Sequence, residues 1–180
     1  RLYEMFLGPL DVTKPWDDKG VKGVFNFLGR TFRFFSNPDN IIGGNEDPEI
    51  LKGLHQAIRK VEADIDNLRF NTAISAMMIF LNMAIKKGKV TAETAGTFTK
   101  ILSPFAPHTA EEIWNMLGNR DTISFEPWPL VNEEYGSVRG FEVSLRKLLD
   151  RYWNARISYG LSLARGTASS TYEWYYERYR

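Results

Sequence analysis

At 180 residues, 43% hydrophobic and with 12 Phe, 8 Tyr and 5 Trp, the chain can bury one sizeable core, which excludes a disordered polypeptide. It has no cysteine, so disulfides, thiolate metal sites and cysteine nucleophiles are excluded. The net charge of +1 conceals an asymmetry: residues 1–135 carry 15 Lys/Arg against 18 Asp/Glu and residues 136–180 carry 8 against 4, so any nucleic-acid binding must use local patches.

The chain opens on Arg1 without an initiator Met, which predicts a piece of a longer polypeptide, and no signal peptide is visible. Arg1–Leu7 reads as the end of a helix stopped by Gly8-Pro9, and Leu10–Asp18 as an extended connector. From Gly20 to Phe35 the residues Val21, Val24, Phe25, Leu28, Phe32 and Phe35 recur at helical spacing, with Lys22, Arg30 and Arg33 on the other face. Ser36–Glu46 is turn chemistry. Asp47-Pro48 then supplies a cap and a first-turn proline. Behind it Leu51, Leu54, Ile58, Val61, Ile65 and Leu68 follow the 3-4 seam of a helix packed nearly antiparallel on a neighbour.

Asn71 is expected to cap the next helix, in which Ile74, Met77, Leu81 and Ala84 or Ile85 lead to Lys86-Lys87-Gly88, two lysines suited to a helix C-terminus. This segment holds the longest nearly apolar run, Ala76–Ile85, interrupted by Asn82 and far short of the roughly 20 residues a membrane span needs. Thr91 caps a helix with Ala95, Phe98, Ile101 and Leu102 inward. Pro104 and Pro107 force a corner. Thr109 and Glu112 read as a capping box for a last helix, with Ala110, Ile113, Trp114 and Leu117 on one face and Gly118 as its stop. Thr122–Glu126 alternates like a short strand, closed by Pro127-Trp128-Pro129, and Phe141, Leu145, Leu148, Leu149, Tyr152 and Ile157 return to helical spacing. The expected fold is all-α: a helical bundle of about five helices over residues 1–135, a short extended exit, and an extra C-terminal amphipathic helix in a separate unit, 136–180.

Several phrases resemble bacterial-type leucyl-tRNA synthetases. RLYEMFLGPLDVTKPW, residues 1–16, resembles the segment that follows their KMSKS loop. LRFNTAISA, residues 68–76, and SPFAPHTAEEIW, residues 103–114, resemble their helical anticodon-binding-type domain. The last phrase is shared with isoleucyl, valyl and methionyl relatives, whereas RLYEMFLGPL followed by KPW points to leucine. The resemblance covers about residues 1–135. It implies a tRNA(Leu)-binding domain in a cytoplasmic enzyme that joins leucine to tRNA using ATP and Mg, with catalysis in another domain of the same polypeptide. The HIGH and KMSKS signatures are absent, so this piece is not expected to activate leucine. Beyond Tyr135 the sequence GSVRGFEVSLRKLLDRYWNARIS stands where the family runs into a VQVNGKxR-like strand; a fusion, a misread frame and a divergence each fit.

No catalytic constellation is apparent. His55 and His108 lack further ligands at metal spacing, Glu111-Glu112 sits where a helix N-terminus favours negative charge, and Glu133-Glu134 has no partner acid. Gly43-Gly44 and Gly20-x-x-Gly23 lack the context of a phosphate loop. The cations remain. Lys22, Arg30 and Arg33 are roughly co-facial, and Arg69 and Lys14 beside Trp16 add isolated positive charge. Taken alone, this is an ordinary solvated face. The resemblance implies phosphate contacts at Lys14, Trp16, Lys22, Arg30, Arg33 and Arg69, with the bundle as a strut against the tRNA. Arg146, Lys147, Arg151 and Arg156, with Tyr152 and Trp153 interleaved, form a second basic-aromatic segment. The rival readings are a helical protein-interaction module without RNA binding and the same domain from an isoleucyl, valyl or methionyl relative.

Overall fold

The computed structural model describes residues 1–9, 13, 15 and 18–132, together with the backbone of 139–149 and 153–163. It divides into two units, Arg1–Gly136 and Ser137–Arg180. Among its described residues the first unit has six helices: α1 (Leu2–Phe6), α2 (Asp18–Phe35), α3 (Pro48–Asp66), α4 (Phe70–Lys87), α5 (Ala92–Leu102) and α6 (Pro107–Met116). Two dipeptide strands, β1 (Ile41–Ile42) and β2 (Val90–Thr91), pair in parallel between them.

The helix boundaries follow local chemistry. Asp47 accepts the Glu49 N–H at 2.8 Å with Pro48 in the first turn, and the Thr91 hydroxyl accepts the Thr94 N–H at 3.2 Å. Gly88 (φ 83°) and Gly118 (φ 91°) take the left-handed conformation past α4 and α6. Lys87 reaches back from the end of α4 to Asp47 Oδ2 at 2.9 Å and Glu49 Oε2 at 2.6 Å, so the start of α3 is tied to the end of α4. That pairing lowers the Asp47 pKa and raises that of Lys87.

Two expected caps are absent. The helix expected to start behind Thr109 begins at Pro107, with Ala106 as a cap lacking a side-chain bond, because a first-turn proline needs no N–H acceptor. The Glu111 carboxylate instead accepts the Ile123 N–H at 3.2 Å. Asn71 does not cap α4, which starts two residues earlier than expected, behind Arg69. The α3–α4 turn is held by the buried Asp64, whose carboxylate accepts from Lys60 Nζ and from the Thr72 hydroxyl, both at 2.6 Å. Leu68, expected in the α3 seam, is exposed in this turn at φ 55°, and Ile50, Ala57 and Val61 fill the seam with Leu54 and Ile58.

The core draws on all six helices, and its aromatic centre lies where α2, α4 and α5 meet. Phe98 of α5 stacks on Phe35 of α2 at 5.1 Å between ring centres and on Phe80 of α4 at 5.2 Å. On α2 the buried stripe is Val24, Phe27, Thr31, Phe34 and Phe35. Phe25, expected on that stripe, is 73% exposed, because it lies one step round the helix from Val24. Trp114 of α6 is buried; its Nε1 donates to the Asp121 carbonyl at 3.0 Å, and Lys100 Nζ sits 5.4 Å from its ring centre while pairing with Glu126 at 2.7 Å. The expected strand at Thr122–Glu126 is a 3₁₀ turn, Ile123–Phe125, because Thr122 accepts the Ser124 N–H and Ile123 alone turns inward.

In the second unit β3 (Arg139–Leu149) and β4 (Trp153–Leu163) form an antiparallel pair, which replaces the expected C-terminal amphipathic helix. Phe141, Val143 and Leu145 alternate with Glu142 and Ser144, and Ile157, Tyr159, Leu161 and Leu163 alternate with Ser158, Gly160 and Ser162. That two-residue period suits a strand, and the register sets Phe141 opposite Leu161, Val143 opposite Tyr159 and Leu145 opposite Ile157.

Three outcomes test this fold. Trp114→Ala should destabilise the chain by about 3–5 kcal/mol in urea unfolding. Leu68→Gly should stabilise it by about 1 kcal/mol, because glycine removes the left-handed penalty at an exposed site. His55 Nδ1 accepts the Asn132 N–H at 3.2 Å, and burial holds the imidazole below its usual pKa against the opposing charge of Glu93. A depressed histidine contributes stability above the unfolded value of 6.5 and loses it as pH falls through the folded value. Thermal unfolding between pH 7.5 and 5 should show this loss, and His55→Gln should remove that component.

Candidate nucleic-acid interface

The exposed face of α2 carries Lys22, Asn26, Arg30 and Arg33. Lys22 and Arg33 are eleven residues apart, about three turns or 16 Å along the same line. Gly23 and Gly29 lie between them, and a Cβ at either would meet nothing within 4 Å, so an approaching chain can come close to the backbone here. Among the described residues, Lys22 and Arg33 make no ion pair or hydrogen bond within the protein.

The carboxyl end of this face is shared with α4. Because β1 follows α2 and β2 follows α4, their parallel pairing, Ile41 with Val90 and Ile42 with Thr91, sets the two helix ends side by side. The Glu46 carboxylate braces the pair by accepting the Thr91 N–H at 2.7 Å and the Thr91 hydroxyl at 3.0 Å. Across this junction the Arg30 guanidinium donates from Nη2 to Asn82 Oδ1 at 2.7 Å. Lys86, one turn beyond Asn82 on α4, is also exposed. Arg30, Arg33, Asn82 and Lys86 thus form one polar edge, with Lys22 farther along α2.

The other expected positions fall elsewhere. Arg69 is exposed at the start of α4, thirteen residues or about 20 Å of helix from Asn82, so it does not join this edge. Lys14 and Trp16 lie outside the described residues. So do Arg151 and Tyr152, whereas Arg146, Lys147, Trp153 and Arg156 fall on β3 and β4. The sequence gives Asn82 no role and Lys86 only that of a charge suited to the end of its helix. Asn82 looked like a lone polar residue in an apolar run, and its partner is 52 residues away. The adjacent lysines Lys86 and Lys87 have different roles, since only Lys87 is engaged with the start of α3.

Among the described residues there is no group of three or more His, Asp or Glu placed to hold a metal ion. His55 is committed to the exit segment, and His108 is exposed at the start of α6. No helix among the described residues is long and apolar enough to cross a membrane. The edge can present cationic donors to an anion, of which Arg30 is held in place by Asn82.

Residues 47–151 match the model of the anticodon-binding domain of tRNA ligase. The chain is 45% identical over 139 residues to the leucine–tRNA ligase of Leptospira biflexa serovar Patoc, covering 75% of this chain and 16% of that protein. It is 46% identical over 134 residues to the leucine–tRNA ligase of Chlorobaculum tepidum, covering 72% and 17% respectively. A similar solved structure is the Agrobacterium radiobacter K84 agnB2 LeuRS, crystallised as a ternary complex with tRNA and LeuAMS. It aligns with a TM-score of 0.66 and 29% identity over 87% of this chain and 23% of that one. The chain therefore spans about one sixth of the length of these curated relatives, and by its sequence match and its helical fold it belongs to the anticodon-binding domain family of tRNA ligases.

Proposed function

We propose that this chain is the tRNA-holding helical domain of a leucine–tRNA ligase, which positions tRNA(Leu) while a catalytic domain of the same polypeptide performs ATP- and Mg-dependent aminoacylation in the cytoplasm. The observation that carries this reading is the cationic edge on α2 and α4, fixed on packed helices of a family whose matched structure was crystallised with tRNA. The leucine–tRNA ligase relatives favour leucine over isoleucine, valine or methionine. In this reading residues 1–135 are the tRNA-binding bundle and 136–180 an appended unit.

Lys22, Arg30 and Arg33 contact backbone phosphates, and Arg69 meets the RNA separately; Lys14 and Trp16 are the remaining proposed contacts. Such contacts fix register and carry no base information. The bundle's contribution to rate is orientation: holding the tRNA body leaves the 3′ end less freedom to lose before the chemical step. No residue of this chain takes part in bond making.

The test is a titration of the 180-residue chain with tRNA(Leu) at increasing salt. The logarithm of affinity should fall linearly with the logarithm of salt concentration. Reversing Arg30 and Arg33 together to Glu should weaken binding on the order of tenfold or more at low salt, with helicity unchanged. No measurable complex at any salt would favour a helical protein-interaction module instead.

A further inference from the structure

Arg30 and Asn82 are joined in a way that ordinary surface residues are not. Arg30 belongs to α2 and Asn82 to α4, and a 2.7 Å bond spans the groove between the helices. A guanidinium has donors only, so the atom facing it must be the Asn82 carbonyl oxygen, and this chemistry fixes the orientation of the amide. Once Oδ1 is held by Arg30, the Asn82 Nδ2 group is left as a neutral donor, with no partner among the described residues. Arg30 spends one of its five N–H donors on Asn82 and keeps the rest of its fork. Two sets of donors, one charged and one neutral, are therefore locked together on an exposed edge, with Arg33 and Lys86 beside them.

We propose that Arg30 and Asn82 form a two-helix seat for one phosphodiester group of the bound RNA, in which Asn82 both fixes the guanidinium and donates its own amide to a phosphate oxygen. This proposal rests on the tRNA-binding reading above and adds a position that the basic residues alone do not indicate. An unrestrained arginine loses rotamer freedom when it binds, whereas one already held by an amide loses less and meets the phosphate in a fixed orientation. Asn82 is thus a positioning residue and a direct contact at once. An acceptor-only side chain at the same place would hold Arg30 but repel the anion.

The experiment compares Asn82→Ala, Asn82→Asp and Arg30→Ala with the unmodified 180-residue chain, measuring tRNA(Leu) affinity across a salt series and helicity by circular dichroism. Asn82→Ala should weaken binding about tenfold and leave the salt slope unchanged, because a neutral donor is lost. Arg30→Ala should reduce the slope by about one, because a phosphate-neutralising charge is lost. Asn82→Asp, which keeps the shape and strengthens the hold on Arg30, should bind worse than Asn82→Ala. An aspartate variant that binds as tightly as the unmodified chain would reduce Asn82 to an interhelical staple and overturn the seat, while a concurrent loss in Arg30→Ala would leave the tRNA-binding reading standing. If Arg30→Ala and Asn82→Asp both bind normally, this edge is not the phosphate site and the seat falls too.

Discussion

The carboxyl ends of α2 and α4 are held side by side by a parallel pairing of four residues, Ile41-Ile42 with Val90-Thr91. So short a pairing could not survive alone in water. It persists because the Glu46 carboxylate holds the Thr91 amide and hydroxyl, and because Phe35, six residues before β1, is locked into the stack with Phe98 and Phe80. Everything at the polar edge depends on this junction. Were α2 to slide by one turn, Arg30 would move about 5 Å from Asn82 and the two sets of donors would separate.

The electrostatics of the bundle become intelligible on the same basis. Residues 1–135 are net acidic, yet several of the acids are committed to the fold. Asp47 and Glu49 hold Lys87, Asp64 holds Lys60 and Thr72, Glu126 holds Lys100, and Glu46 and Glu111 accept backbone N–H groups. On the edge shared by α2 and α4, by contrast, Lys22, Arg33 and Lys86 stay exposed without protein partners among the described residues. Overall charge is thus a poor guide to what a particular face attracts, since an anion within a Debye length responds to the nearest unneutralised groups.

How much of this could be read in the sequence depended on how local the cause was. Asp47-Pro48, Thr91, Gly88 and Gly118 act within one turn, and each stands where its chemistry predicts. The capping box at Thr109 failed because a competing local signal, Pro107, starts the helix earlier. The strand pair of 139–149 and 153–163 differs from the expected helix because Leu145, Leu148, Leu149 and Tyr152 satisfy helical spacing while Phe141, Val143 and Leu145 satisfy strand alternation, and the pairing partner needed to decide lies farther along the chain. Phe25 was assigned inward because spacing alone does not say which of two adjacent apolar residues faces the core. At the polar edge the sequence shows three roughly co-facial cations, but not the bond between Asn82 and Arg30, since no spacing rule connects residues 52 apart.

The central claim is that one edge of a rigid bundle, and not its surface in general, meets tRNA. Its most direct test is lysine acetylation of the 180-residue chain read by mass spectrometry with and without tRNA(Leu). Bound tRNA should protect Lys22 and Lys86 while Lys60, at the α3–α4 end and paired with Asp64, keeps its own rate. Equal protection of all three lysines, or protection of Lys60 alone, would contradict the account.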